Sequence, residues 1–250
     1  MIYLKNTPNY AGVTVYGDYL DFDQLYEALY TILREDEEEG SPYEGARLRI
    51  LGVCYDIRHA LMGNREVEFV DNGLDRDKMR HLSIVGSDKN LYLSFKVLWP
   101  ELLFVTIALN EFVKQYATNQ AKSSYKPMED FRNIWDPSIA HVKGFQAAIA
   151  KCIEETIPAT SYSRIMRLMN TNYFNLYNYA TQYLDELNCK FIDMDKTKRQ
   201  KNITIMAKRI AEQGQKYQKV KRDVMEAARE YHCSMTNINP LVEYPEVIDW

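Results

Sequence analysis

One predicted helix and the strand after it carry the side chains of this sequence that best suit chemistry. Asp56 and His59 are three residues apart, so on a helix they would be neighbours able to share a hydrogen bond. An aspartate that fixes the tautomer of a histidine is half of a common catalytic arrangement. Arg49 falls on the same side of the helical wheel. Glu66 and Glu68 follow on the strand, and carboxylates beside a histidine can hold a divalent metal.

The same residues also fit a structural role. A histidine with a nearby acid is usually a satisfied polar pair, and the set matches no motif with a stated mechanism. Cys54 falls on the apolar face of the helix, where a thiol behaves as a small hydrophobe. We therefore interpret the set as structural. The alternative is an enzyme or small-ligand-binding protein with a site around Asp56 and His59, and it requires these groups to converge on one pocket.

We predict neither a cofactor nor a bound metal. The sequence contains no GxxxxGK[ST], GxGxxG, HExxH or GxSxG motif, which are the common signatures of nucleotide binding and hydrolysis. Structural zinc sites use ligands in close pairs, and the four cysteines are widely scattered. We interpret them as reduced thiols.

A second chemical candidate is a run of bases late in the chain. Ten lysines and arginines stand between Asp195 and Arg222 against two acids, and such a run can neutralise phosphates. Tyr177 and Tyr183 are near enough in sequence to stack on unpaired bases. The alternative is the solvated face of a long helix, so nucleic acid is a less favoured partner. The polyanion-binding candidates are Lys198, Arg199, Lys201, Lys208, Arg209 and Lys216.

Composition indicates an ordinary globular protein. The chain has 250 residues, of which 46% are hydrophobic and 26% charged, and its net charge is -4. These values allow a real core and give no global reason to expect nucleic-acid binding. The longest apolar stretch, LLFVTIAL, is too short to cross a bilayer, and no signal peptide is evident. We expect a cytoplasmic protein with no membrane partner.

The hydrophobic pattern predicts an α+β fold. IYLKN and GVTVYGD alternate as a hairpin, and REVEFV and NLYLSFKVLW alternate as two further strands. Asp21 is a predicted N-cap, completed by Gln24, for a helix that ends near Leu33. We predict a small, mostly antiparallel sheet with covering helices over residues 1–99. A helical part over 100–250 packs on it to give one compact unit.

The last predicted helix, 196–232, is unusually long. Apolar residues recur every seven positions, although Gln213 and Gly214 interrupt the pattern, which favours packing against neighbouring helices over a free coiled coil. The tail 240–250 alternates apolar and acidic residues. It can dock on its own protein, which we favour, or insert into a partner. The predicted protein partner, whether a second copy or another protein, binds through this helix or this tail.

Two segments carry a resemblance. NTPNYAGVTVYGDYLDFDQLYEALY and RLRILGVCYDIRHALMGNREVEFVDNG resemble the N-terminal half of an uncharacterised bacterial family described only as a domain of unknown function. The resemblance extends to about residue 100, implies a bacterial cytoplasmic protein, and supplies no activity. Our principal interpretation is a non-enzymatic interaction or regulatory protein.

Overall fold

Four short strands form one sheet near the start of the chain. The computed structural model describes residues 1–34, 41–123, 125–170, 175–239 and 242–250. The strands are β1 (Tyr3–Asn6), β2 (Gly12–Gly17), β3 (Glu66–Asp71) and β4 (Lys89–Leu98). They lie in the order β1-β2-β4-β3, and each neighbouring pair is antiparallel. This confirms the predicted small antiparallel sheet.

Helices make up most of the remaining described residues, and the fold is α+β as predicted. The short helix α3 was not predicted. Every helix in the described ranges is too short or too polar to cross a membrane. The helices are α1 (Tyr19–Leu33), α2 (Glu44–Leu61), α3 (Arg76–Leu82), α4 (Trp99–Gln120), α5 (Phe131–Ile134), α6 (Pro137–Thr156), α7 (Ala159–Met169), α8 (Thr181–Ile192), α9 (Lys196–Glu212) and α10 (Gln215–Glu230).

One hydrophobic core joins the two predicted parts of the chain. Helices α1 and α2 contact the sheet, and the rings of Phe22 and Phe95 lie 5.5 Å apart between centroids. The same buried cluster contains side chains from the later helices, such as Phe104 and Ile203. Trp99, at the start of α4, is fully buried, and its indole N–H donates to the side-chain oxygen of Asn6 at 3.1 Å. Helix α4 therefore packs against both the sheet and the later helices.

The first helix begins three residues earlier than predicted. Its N-cap is Asp18, whose carboxylate accepts from the backbone N–H of Asp21 at 2.8 Å. Asp21 in turn accepts from the backbone N–H of Asp18 at 3.1 Å, which completes a capping box. The predicted cap at Asp21 with Gln24 was wrong because Asp21 is the third residue of the helix, not the residue before it.

The predicted long helix 196–232 is two helices. Gln213 adopts a left-handed backbone conformation with φ of 46°, and helix α10 begins after Gly214. The left-handed residue ends α9, because a right-handed helix cannot continue through it. The predicted seven-residue stripe packs inward on both sides of the break as far as Val224, since Ile203, Ile210, Tyr217 and Val224 are buried. Its last member, Tyr231, follows the end of α10 and is 71% exposed.

Strand β3 and the first three residues of β4 are exposed to solvent. Val67 pairs with Leu93 and Phe69 with Leu91, so the predicted alternation of β3 is confirmed. However, β3 is an edge strand of the sheet and both of its faces are open to solvent, and Phe69 is 68% exposed.

A buried arginine on α9 ties the C-terminal tail to the body. Arg199 is 3% exposed and donates to backbone carbonyl oxygens from three parts of the chain. Two belong to the end of α8, Phe191 at 3.3 Å and Ile192 at 2.6 Å, where the helix dipole favours a cation. The others belong to Asn9 at 3.1 Å and Asp249 at 2.7 Å.

The described part of the tail, 242–250, lies on its own protein. The backbone N–H of Asn9 donates to the carbonyl oxygen of Trp250 at 3.0 Å. Ile248 and Trp250 pack against the small apolar cluster of Ala11, Leu98 and Ile192. These contacts agree with the favoured self-docking; residues 240 and 241 lie outside the described ranges.

We expect Arg199→Ala to lower the free energy of unfolding by about 3 kcal/mol, because four carbonyls lose a charged donor. Urea unfolding measures the loss. The control is Lys201→Ala, an exposed base on the same helix, which should change stability by no more than about 0.5 kcal/mol. Equal effects of the two substitutions would contradict the anchoring role of Arg199.

Candidate functional site

The structure does not assemble the five predicted site residues. Asp56 accepts from Arg65, at 2.7 Å from Nη2 and 3.2 Å from Nε. His59 instead contacts Tyr55, with 4.2 Å between ring centroids and the two rings tilted by 52°. Within the described ranges no hydrogen bond joins His59 to Asp56, so that predicted bond was wrong. The guanidinium of Arg65 forms a charge-assisted fork that an imidazole cannot match.

The two glutamates lie on the sheet. Glu66 forms an ion pair with Lys96 at 2.9 Å, and Glu68 lies beside the hydroxyl of Tyr16, whose pKa is raised by burial and by the charge of Glu68. Asp56 and Glu66 do line a common cavity of ≈ 450 Å³, but His59 does not. The described residues contain no group of three His, Cys, Asp or Glu side chains placed to hold a metal.

Arg49 belongs to a different site, which the sequence analysis missed. From α2 it reaches α4 and α8, where Nη2 donates to the carboxylate of Asp185 at 2.7 Å and to the carbonyl oxygen of Thr181 at 3.0 Å. Nη1 donates to the carboxylate of Glu101 at 3.4 Å. The three charged side chains are largely buried, with exposures of 21% for Arg49, 17% for Glu101 and 11% for Asp185.

Two further side chains complete what we call the Arg49 cluster: Arg49, Glu101, Asp185, Asn188 and Tyr244. The amide of Asn188 donates to Glu101 at 2.8 Å and to the hydroxyl of Tyr244 at 3.0 Å. The Tyr244 hydroxyl donates to Asp185 at 2.8 Å. Tyr244 comes from the tail, so the tail contributes directly to the cluster.

Burial controls the charges of the cluster. It raises the pKa of Glu101. Arg49 and the amide of Asn188 lower that pKa but do not cancel the effect of burial. Burial alone would lower the pKa of Arg49, but the two carboxylates raise it above its ordinary value. Burial, followed by the charge of Asp185, raises the pKa of Tyr244. Arg49 therefore stays charged and Tyr244 stays protonated, while Glu101 is the member whose charge is least compensated.

Local sequence explains where these groups sit. Glu101 lies in the first turn of α4 after Pro100, where the helix dipole favours an acid. Asp185 and Asn188 are three residues apart on α8 and so share a face. In the sequence, the signal for this cluster was a charged residue among apolar neighbours. Asp185 stands beside Leu184 in a run of residues that are mostly buried.

Two cavities adjoin the cluster. The acidic cavity has a volume of ≈ 350 Å³ and contains Arg49, Glu101 and Asp185 in its wall. The apolar cavity has a volume of ≈ 490 Å³ and lies mainly between α8, α10 and the turn Met235–Asn237. Together they are lined by four acids, Glu101, Asp185, Glu186 and Asp223, and one base, Arg49.

The cavities share one wall, formed by Gln182, Ile238 and Asn239. Gln182 fixes this wall, because its amide donates to the carbonyl oxygens of Met235 and Ile238, each at 2.8 Å. The two cavities therefore lie side by side along these three residues.

One of the predicted polyanion-binding residues does not face solvent. Arg199 is buried and bonded to carbonyls, as described above. Lys198 pairs with Asp195 at 3.1 Å and Lys208 with Glu212 at 3.8 Å. Of the other candidates, Lys201 and Arg209 lie on α9, whereas Lys216 lies on α10 beyond the break.

Comparison with known proteins gives one match. The model of a protein family described as Domain of unknown function (DUF6904) matches residues 2–250. The match covers almost the whole chain, so the resemblance that the sequence analysis limited to about the first 100 residues extends through the helical part. A search of curated proteins and a search of solved structures each found no match.

The raised pKa of Glu101 predicts a specific pH dependence. Between the ordinary glutamate pKa and the raised one, the folded state binds more protons than the unfolded state, so this group lowers stability as pH rises. The free energy of unfolding of the wild type minus that of Glu101→Gln should therefore fall as pH increases from 4 and then level off.

Urea unfolding at intervals from pH 4 to 8 measures this difference. The control is Glu154→Gln, which makes the same change in charge at an exposed position of α6. A wild-type-minus-Glu101→Gln difference that stays constant or rises with pH would refute the assignment.

Proposed function

The chain belongs to the family of Domain of unknown function DUF6904, and we propose that it is a non-enzymatic binding protein for a small molecule that carries a protonated amine on an apolar body. One observation carries the proposal. The acidic cavity and the apolar cavity share the wall formed by Gln182, Ile238 and Asn239.

The acidic cavity suits a cationic group. Glu101 and Asp185 face a single cation, Arg49, so the cavity has an excess of negative charge. Burial raises the pKa of Glu101 and the charge of Asp185 adds to the rise, while Arg49 opposes it, so a second cation in the cavity would favour the ionised carboxylate. An ammonium group has hydrogen-bond donors and no acceptor, which matches carboxylate oxygens.

The apolar cavity suits the body of the ligand. Its volume of ≈ 490 Å³ falls within the roughly 300–1,000 Å³ typical of small-molecule sites. Val220, Val224 and Ala227 of α10 form part of its wall. Such pockets usually combine apolar walls with a few polar groups that fix orientation, and here the Arg49 cluster supplies those groups.

The polar groups of the Arg49 cluster favour binding over catalysis, because hydrogen bonds within the cluster already engage them. The Tyr244 hydroxyl and the Asn188 amide are held in hydrogen bonds to the carboxylates, and the raised pKa of Tyr244 disfavours it as a base. Burial also raises the pKa of Cys54 to about 12 and that of Cys152 to about 11, which makes both thiols poor nucleophiles.

A regulatory role would use the tail. Tyr244 bonds the Arg49 cluster, and Val242 lines the apolar cavity, so a bound ligand would contact groups that hold the tail in place. We place this function in the bacterial cytoplasm. The four cysteines are unpaired thiols, which suits a reducing compartment.

Titration calorimetry with three six-carbon probes tests the proposal: hexylamine, 1-hexanol and hexanoate. Hexylamine should bind saturably and at least tenfold more tightly than hexanol, and hexanoate should bind most weakly. Hexylamine affinity should rise with pH as Glu101 ionises. Equal binding of the three probes would refute the proposal that the acidic cavity binds the amine end of the ligand.

Matched variants locate the binding site. Asp185→Asn should weaken hexylamine binding by roughly tenfold or more, as expected for loss of a buried charged partner. Asp193→Asn, at an exposed position just after α8, should leave it unchanged. Ala227→Trp fills the apolar cavity and should weaken both hexylamine and hexanol, whereas Arg229→Trp, at an exposed position of α10, should not.

A further inference from the structure

A third cavity, with a volume of ≈ 450 Å³, lies at the edge of the sheet. Strand β3 begins at Glu66, which pairs with Ser94, whereas β4 continues to Leu98. Beyond Ser94, none of the described strands pairs with β4 on this side. We call the space there the sheet-edge cavity. It is lined by residues that include Asp56, Arg65, Glu66, Ser94, Lys96 and Trp250.

The charges of the sheet-edge cavity cancel. Among the described residues, the charged side chains that line it are two cations and two acids. Nη2 of Arg65 lies 2.7 Å from Oδ1 of Asp56, and Nζ of Lys96 lies 2.9 Å from Oε1 of Glu66. The acidic cavity has an excess of negative charge, whereas the sheet-edge cavity has no excess of either sign with which to select an ion.

Hydrogen-bonding capacity remains after these two pairs have formed. Both bonds from Arg65 reach Oδ1 of Asp56, and Lys96 reaches Oε1 of Glu66. The second oxygen of each carboxylate accepts no hydrogen bond from the residues that the structure describes. Ser94 is 2% exposed, and its hydroxyl lies 3.5 Å from the carbonyl oxygen of Glu66, beyond the usual length of an O–H···O bond. A ligand with hydroxyl groups can use these atoms.

A tryptophan supplies an aromatic part of the wall. Trp250 packs against the small apolar cluster that contains Leu98, the last residue of β4. Its carbonyl oxygen accepts from the backbone N–H of Asn9 at 3.0 Å. These contacts hold the residue beside the sheet, where its indole adds a flat apolar surface to a wall that is otherwise mostly polar.

We infer that the sheet-edge cavity binds a neutral sugar. A sugar hydroxyl both donates and accepts, as a serine hydroxyl does, so it can bond carboxylate oxygens and cationic N–H groups that lie side by side. The C–H face of the sugar ring lies on the indole of Trp250, which offers an apolar surface of matching shape. Two of the five predicted site residues, Asp56 and Glu66, then hold the ligand.

The wall favours a neutral sugar over other small molecules. An ion of either sign would have to displace a member of an existing ion pair. A purely apolar ligand would cover the Ser94 hydroxyl and the free carboxylate oxygens without bonding them, which is costly. The volume of ≈ 450 Å³ falls within the roughly 300–1,000 Å³ typical of small-molecule sites.

Titration calorimetry and saturation-transfer NMR with the full chain test the inference. The neutral probes are glucose, galactose and mannose, and each is compared with its amino sugar and its uronic acid. At least one neutral sugar should bind saturably and at least tenfold more tightly than its two charged analogues. Its affinity should be nearly the same at low and high salt, because a neutral ligand is not screened.

Matched variants locate the sugar. Trp250→Leu keeps an apolar side chain against Leu98 but removes the indole, and it should weaken binding roughly tenfold. Its control is Trp135→Leu, which removes an 83% exposed indole outside the cavity and should have no effect. Circular dichroism confirms that each variant is folded.

A second pair of variants tests the polar wall. Glu66→Gln should weaken sugar binding roughly tenfold, as expected for loss of a charged hydrogen-bond acceptor. Glu68→Gln makes the same change two residues further along β3, outside the cavity, and should leave binding unchanged.

Four outcomes would overturn the inference. One is that none of the three neutral sugars binds, and another is that a charged analogue binds more tightly than its neutral parent. The third is equal loss in a variant and its control. The fourth is loss of sugar binding in Asp185→Asn, which would place the sugar in the acidic cavity. Failure of the sugar site leaves the amine proposal intact, because the sheet-edge cavity shares no residue with the other two cavities.

Discussion

A single buried guanidinium holds the ends of this fold together. Arg199 donates to carbonyls at the end of α8, in the β1–β2 turn and in the tail, so one side chain satisfies three segments that are distant in sequence. A buried charge is costly unless it is hydrogen-bonded, and carbonyl oxygens at a helix C-terminus suit a cation. Because the tail is fixed at Asp249, Tyr244 can reach Asp185 and complete the Arg49 cluster.

The parts of the fold that were predictable depend on local periodicity. Alternation in GVTVYG and in residues 89–98 identified strands, and the seven-residue stripe through Ile203 and Val224 identified an inward face. The exact ends of the helices depended on backbone geometry that the amino-acid sequence does not show. Either Asp18 or Asp21 could be the N-cap of α1, and the capping box between them shows that Asp18 is the N-cap. The interruption at Gln213 was visible, but its left-handed conformation was not.

The candidate site was not predictable in the same way, because its partners are distant in sequence. Arg49 bonds Glu101 and Asp185, which lie 52 and 136 residues further along the chain. Asp56 and His59, by contrast, are close in sequence, but Asp56 bonds Arg65 and His59 contacts Tyr55. The charge of a residue can be read from the sequence, whereas its burial and its partner come from tertiary packing.

The Arg49 cluster is better explained by recognition than by stability. Removing charges from water is costly, and well-packed apolar residues of similar volume often stabilise a fold as much as a buried ion pair does. This cluster also contains one carboxylate more than its single cation balances. Burial, with a smaller contribution from the charge of Asp185, raises the pKa of Glu101. Such an arrangement is a poor way to gain stability. Beside an apolar cavity it is a suitable way to select a positively charged ligand, because the bound cation supplies the missing compensation.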